Sequence, residues 1–86
     1  MYRRTKFTYA QLDKVLRSLG FSRRDFEKDG RGVCYDHKET GAWIILPEMS
    51  KDEHVVDYHL DDVRTTLDGF GIADPTALVS KLQKAG

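Results

Sequence analysis

The apolar and polar positions of the chain repeat with two different periods. Between Thr8 and Leu19 the apolar residues Leu12, Val15, Leu16 and Leu19 recur at three- and four-residue intervals, the spacing that lines one face of a helix. Thr8 is a good N-cap, Gln11 three residues on completes a capping box, and Gly20 marks the stop. From Val33 the period becomes two. Val33 to His37 and Ala42 to Leu46 read as the strands of a hairpin joined by Lys38-Glu39-Thr40-Gly41, with Gly41 where a left-handed residue is needed. Pro47 cannot donate to a ladder and ends the second strand. This connection pairs His37 with Ala42, Tyr35 with Ile44 and Val33 with Leu46 on one face, the expected core face. It pairs Asp36 with Trp43 and Cys34 with Ile45 on the other.

Around the hairpin the pattern predicts a strand over Phe21 to Phe26, a polar turn over Glu27 to Gly32, and a loop over Glu48 to Asp57 with a short extended piece at Val55-Val56. A second helix is expected over Tyr58 to Phe70, capped by Asp57, with Leu60, Val63 and Leu67 on one face and Phe70 near its end. Gly69 or Gly71 should stop it. Asp74 as N-cap and Pro75 as first helical residue open a third helix with Leu78, Val79 and Leu82 on its apolar side. The order is α-β-β-β-α with an additional C-terminal α. That is an α+β domain over residues 1–86, a three-stranded antiparallel sheet with helices packed on one face, residues 75–86 adding the extra helix. Leu12, Leu16, Val33, Tyr35, Ile44, Leu46, Val63 and Leu67 should form the core. Because the strand Ala42 to Leu46 is apolar on both sides, Trp43 and Ile45 are left on the second face. Either the short third helix folds over them, or they anchor an interface with a partner or a second copy.

Composition narrows the class. With one cysteine the chain excludes an internal disulfide and a cysteine-rich zinc site, and Cys34 reads as a buried thiol. No apolar run approaches the roughly 20 residues of a membrane span, and MYRRTKFTY has no apolar core, so a cytoplasmic protein with no membrane partner is expected. A net charge of zero hides a split. Residues 1–38 hold ten Lys/Arg against five Asp/Glu, giving +5, and residues 39–86 hold four against nine, giving −5. Arg3, Arg4, Lys6, Arg23, Arg24, Lys28 and Arg31 are therefore candidate RNA contacts, with Tyr2, Phe7, Tyr9 and Tyr35 near them for base stacking. The alternative is that the charges solvate the surface and the aromatics pack in the core.

Catalytic chemistry has few candidates. Metal-free RNA cleavage needs a base for the 2′-OH proton, and histidine suits that role near neutral pH. His37, at the hairpin turn on the core face, is the one weak candidate. His54 and His59 read as surface polar residues. His54, Asp57 and Asp61 suggest a metal site only until Asp57 is explained as a helix cap, so neither a metal nor another cofactor is expected.

Three segments together resemble the HicA toxins, small ribonucleases with a fold like the double-stranded RNA-binding domain. Leu16 to Phe21, LRSLGF, is similar to the end of the family's first helix and entry to its first strand. His37 to Pro47, HKETGAWIILP, is similar to its His-Pro-Glu-Thr-Gly turn and the apolar strand ending in proline. Leu60 to Ile72, LDDVRTTLDGFGI, is similar to its second helix with the terminal Gly-Ile. The resemblance implies association with RNA, membership of a toxin–antitoxin pair, and an antitoxin-like protein partner. The family's catalytic Gly-Ser-His falls on Gly30-Arg31-Gly32, so the glycine matches and the histidine is replaced by Gly32. The fold is carried over and the catalytic base is not. An active endoribonuclease and a protein-interaction module with no nucleic-acid role remain the alternatives.

Overall fold

The computed structural model describes residues 3–27 and 31–85. Its order is β1 (Arg4–Thr8), α1 (Tyr9–Ser18), β2 (Phe21–Glu27), β3 (Arg31–His37), β4 (Trp43–Pro47), β5 (His54–Val56), α2 (Asp57–Gly69) and α3 (Pro75–Lys84). Strands β2, β3 and β4 form one antiparallel sheet in chain order, and β1 pairs antiparallel with β5 in a separate two-stranded ribbon. The ribbon adds β1 to the expected α-β-β-β-α-α order and makes a strand, β5, of the short extended piece expected at Val55-Val56. Its β1 segment, RTKFT, buries only Phe7 well, and the other four residues are charged or polar, so it shows no apolar alternation.

The local chemistry accounts for the element ends. At α1 the Thr8 hydroxyl accepts from the Gln11 N–H at 3.2 Å, and the Gln11 side chain accepts from the Thr8 N–H at 2.8 Å, which is the capping box. In the hairpin the His37 N–H donates to the Ala42 carbonyl at 2.8 Å, and Tyr35 faces Ile44, Val33 faces Leu46, Asp36 faces Trp43 and Cys34 faces Ile45, the expected register. Gly41 sits at φ +78, a conformation that a Cβ would strain. Helix α2 departs from expectation at its start. Asp57 is already helical, Val56 is the N-cap, and no side chain caps the helix. The Asp57 N–H is instead taken by the Arg3 carbonyl at 2.8 Å, because β5 feeds straight into α2 and the ribbon holds that backbone group. Gly71, not Gly69, closes α2. With Gly71 at φ +70, its N–H reaches Asp68 at 3.1 Å and the Ile72 N–H reaches Leu67 at 2.8 Å, the paired bonds of a Schellman motif.

Leu12, Leu16, Val33, Tyr35, Ile44, Leu46, Val63 and Leu67 are all in the core, joined by Phe7, Tyr9, Phe21, Val55, Leu78 and Leu82. Phe70, by contrast, is exposed at the end of α2 rather than continuing its apolar face. Helix α3 packs on α1 and α2, and the Gln11 side-chain amide donates to the Leu82 carbonyl at 3.2 Å. With its apolar side used there, α3 does not fold over the second face of the sheet.

His59 is not a surface residue. It is buried where the ribbon draws the starts of α1 and α2 together, with Nδ1 2.8 Å from the Tyr9 hydroxyl, which also accepts from the Val56 N–H at 3.3 Å. Burial holds its pKa below the ordinary 6.5, aided by the Arg4 cation and opposed by Asp62. Among the described residues no helix is long and apolar enough to cross a membrane.

Candidate partner-binding face

Strand alternation assigns each side chain of the three-stranded sheet to one of two faces. The face against the helices carries Phe21, Tyr35, His37, Ala42, Ile44 and Leu46. The opposite face carries Ser22 and Arg24 from β2, Cys34 and Asp36 from β3, and Trp43 and Ile45 from β4. On that open face the Arg24 Nε donates to the Asp36 carboxylate at 2.8 Å, and this bond holds the Asp36 carboxyl below its usual range. Cys34 lies buried beneath the pair, its Sγ 3.6 Å from both the Arg24 guanidinium and Asp36. Burial, with Asp36 beside it, raises the thiol pKa, the opposite of what a reactive cysteine needs.

Trp43 and Ile45 are different in kind. They are 60% and 53% exposed, and Phe70 at the end of α2 is 50% exposed. A groove of about 420 Å³ runs between β4 and α2, lined by Trp43, Ile44, Ile45, Asp62, Thr66 and Phe70. Trp43 and Ile45 were legible in the sequence as unclaimed apolar positions. Phe70, Thr66 and Asp62 were not, since their part in the groove depends on where α2 crosses the sheet.

The described basic candidates do not share one face. Arg23 and Arg24, adjacent in β2, point to opposite faces. Arg23 turns toward α1, 3.6 Å from Asp13 and 3.2 Å from Asp25, while Arg24 joins Asp36 on the open face. Arg4 is 3.6 Å from Glu53 and also donates to the His54 carbonyl at 2.8 Å. Arg3 and Lys6 are exposed on or beside β1, and Lys28 and the Arg31 side chain lie outside the described residues. Three of the candidate cations thus already face carboxylates. Of the candidate stacking rings, Phe7, Tyr9 and Tyr35 are core residues, and Tyr2 lies outside the described residues.

His37 is buried with both ring nitrogens occupied. Nε2 donates to the Leu19 carbonyl at 3.1 Å, Nδ1 is 2.9 Å from the Thr40 hydroxyl, and the ring packs 4.9 Å from Phe21. A carbonyl only accepts, so the Nε2 proton is committed and the ring ties the hairpin to the end of α1. Gly32, where the resemblance places the catalytic histidine, is a buried β3 position opposite Pro47. His54 gives its Nδ1 to the Thr5 carbonyl at 2.8 Å, and among the described residues no three His, Cys, Asp or Glu side chains gather as metal ligands.

A second cavity, about 230 Å³, lies between α1 and the end of the sheet, with Asp13, Arg23, Tyr35, Glu48 and Lys51 among its walls. Its central carboxylate is spoken for. The Tyr35 hydroxyl donates to Asp13 at 2.7 Å, and Arg17 donates to it at 3.0 Å. Burial raises the Asp13 pKa, but those donors and the Arg23 charge outweigh it and leave the group below 3.8. Such a carboxylate is a poor base near neutral pH. Comparison with models of protein families, with curated proteins and with solved structures found no match.

Proposed function

We propose that this chain is a HicA-like, non-catalytic domain that binds a protein partner on the open face of its sheet, with Trp43 and Ile45 as anchors. The observation that carries this reading is two large apolar side chains, 60% and 53% exposed, side by side on a face that no helix among the described residues covers. Burying a side chain of this size contributes about 1.5–3 kcal/mol, and a tryptophan at the centre of an interface commonly dominates its energy. The resemblance adds the class of partner, an antitoxin-like protein. Two features support the absence of catalysis: Gly32 has no side chain to act as a base, and the His37 ring is already bonded at both nitrogens. RNA association is the rival reading, and it is weakened by the carboxylates that Arg4, Arg23 and Arg24 already face.

A photo-crosslinking residue at position 43, expressed in the cells that carry the gene, separates these readings. The expected result is a crosslinked polypeptide that survives ribonuclease treatment and is absent when the same residue replaces exposed Asp61. A product destroyed by ribonuclease would transfer the function to RNA, and no product from position 43 would remove the partner face. Induced expression should leave cellular RNA intact. RNA cleavage that disappears in His37→Ala would restore the enzyme reading.

A further inference from the structure

The two edges of the three-stranded sheet are built differently. The outer strand β2, FSRRDFE, carries Arg23, Arg24 and Asp25 in succession, the kind of charged edge that discourages further pairing. The outer strand on the other side, β4, is WIILP and has no charge at all. Among the described residues its ladder partner is β3 alone. The His37 N–H to Ala42 carbonyl bond of 2.8 Å fixes the phase of that ladder. Residues 42, 44 and 46 turn their backbone groups toward β3, so Trp43 and Ile45 turn their N–H and C=O groups outward. Pro47, without an N–H, limits the free edge at one end. Beside this edge is the groove against α2, with Trp43, Ile45 and Phe70 as apolar walls and exposed Asp62 as its charged group. Among the described residues no Lys or Arg lines it.

We infer that the free edge of β4 and the adjoining α2 groove receive an extended segment of the partner as a fourth strand, one that alternates apolar residues with Lys or Arg. The inference rests on the open face being a partner site and specifies how the partner engages it. An added strand would place alternate side chains on the two sides of the sheet. Those on the open face would lie beside Trp43 and Ile45 and need to be apolar. Those on the helix side would lie toward Asp62 and Thr66, where a cation is favoured. A second copy of this chain fits poorly, because its own β4 offers no cation and it brings another Asp62.

The test uses the full chain and an acetylated, amidated (Val-Lys)4 peptide, read by the emission of Trp43, the chain's one tryptophan. The peptide should shift the emission to the blue, and (Val-Glu)4 should not. Asp62→Lys, an exposed change checked for unaltered melting, should weaken binding roughly fivefold, the upper range for an exposed ion pair. Methylating alternate backbone nitrogens of the peptide should weaken it at least about tenfold, since the ladder bonds are lost. No binding of (Val-Lys)4, or binding indifferent to backbone methylation, would overturn strand addition. Concentration-dependent dimerisation of the chain that blocks the peptide would overturn it in favour of a second copy. A ribonuclease-resistant crosslink from position 43 alongside a failed peptide titration would mean that the partner face stands and the fourth strand does not. Peptide binding without any such crosslink would leave the edge competent and the partner reading wrong.

Discussion

Ile44 and Ile45 are the same side chain one residue apart, and they occupy opposite environments. Ile44 is 4% exposed within the core, and Ile45 is 53% exposed on the open face. On the helix side even the polar atoms are answered: Tyr35 donates to Asp13, which also receives Arg17 and Arg23. On the open side the ion pair of Arg24 with Asp36 stands beside apolar surface that is left exposed among the described residues. A strand separates these roles by a single backbone step. The energy that holds the fold and the surface left for recognition are therefore encoded in alternate letters of the same five-residue word.

The contrast is broken most directly by truncation. Ile44→Ala should destabilise the chain by about 2–5 kcal/mol in urea unfolding, the usual cost of emptying a buried isoleucine site. Ile45→Ala should change stability by no more than about 0.5 kcal/mol. Equal losses at the two positions would mean that the faces are not distinct. The next effect concerns what keeps the two residues on their own sides. Gly41 sits at φ +78 with nothing within 4 Å of an added Cβ, so Gly41→Ala meets no clash and suffers only backbone strain. It should cost about 1–2 kcal/mol in the same assay. A one-residue slip at this turn would exchange Ile44 for Ile45, and a variant in which Trp43 emission turns blue would report that slip.

A smaller effect separates the faces by pH. Burial disfavours the charged form of His59 in the fold, so the unfolded chain takes up its proton first. The stabilising effect is complete above the unfolded pKa near 6.5 and is lost as pH falls through the lower, folded value. Thermal melts should therefore drop between neutral pH and mild acid, and His59→Gln should flatten that part of the profile. A slope unchanged in His59→Gln would place the titration elsewhere. Smallest of all, Trp43→Ala should leave the isolated chain within about 0.5 kcal/mol of its parent while weakening partner capture.

Much of the fold was legible because local chemistry and long-range packing agree. Thr8 with Gln11, Gly41, and Asp74 with Pro75 each specify a turn or cap by their own side chains or backbone freedom, and the hairpin register follows from the turn. What escaped notice depends on contacts between distant segments. β1 pairs with β5, and RTKFT is not apolar enough to announce itself, whereas Val55-Val56 of β5 was legible as a short extended piece. Asp57 loses its expected capping role to that same ribbon. His59 reads as a surface residue in the sequence, and its buried ring is met by the hydroxyl of Tyr9, fifty residues earlier. For the candidate face, alternation placed Trp43 and Ile45 correctly, but the contribution of Phe70, Thr66 and Asp62 required knowing where α2 lies. The opposite orientations of Arg23 and Arg24 follow from strand alternation too, yet their shared charge invited treating them as a pair.

The ribbon also orders events while the chain is being made. Strands β2, β3 and β4 join neighbours in sequence, so their meander can form as soon as Pro47 has been synthesised. The clasp between Arg4 and Val56, and the helix α2 that follows it, arrive later. Until then WIILP lacks α2, the helix that packs against it in the finished protein. A strand with no charge of its own that waits for α2 is an aggregation-prone segment, so slowing the emergence of residues 57–69 should lengthen its exposure.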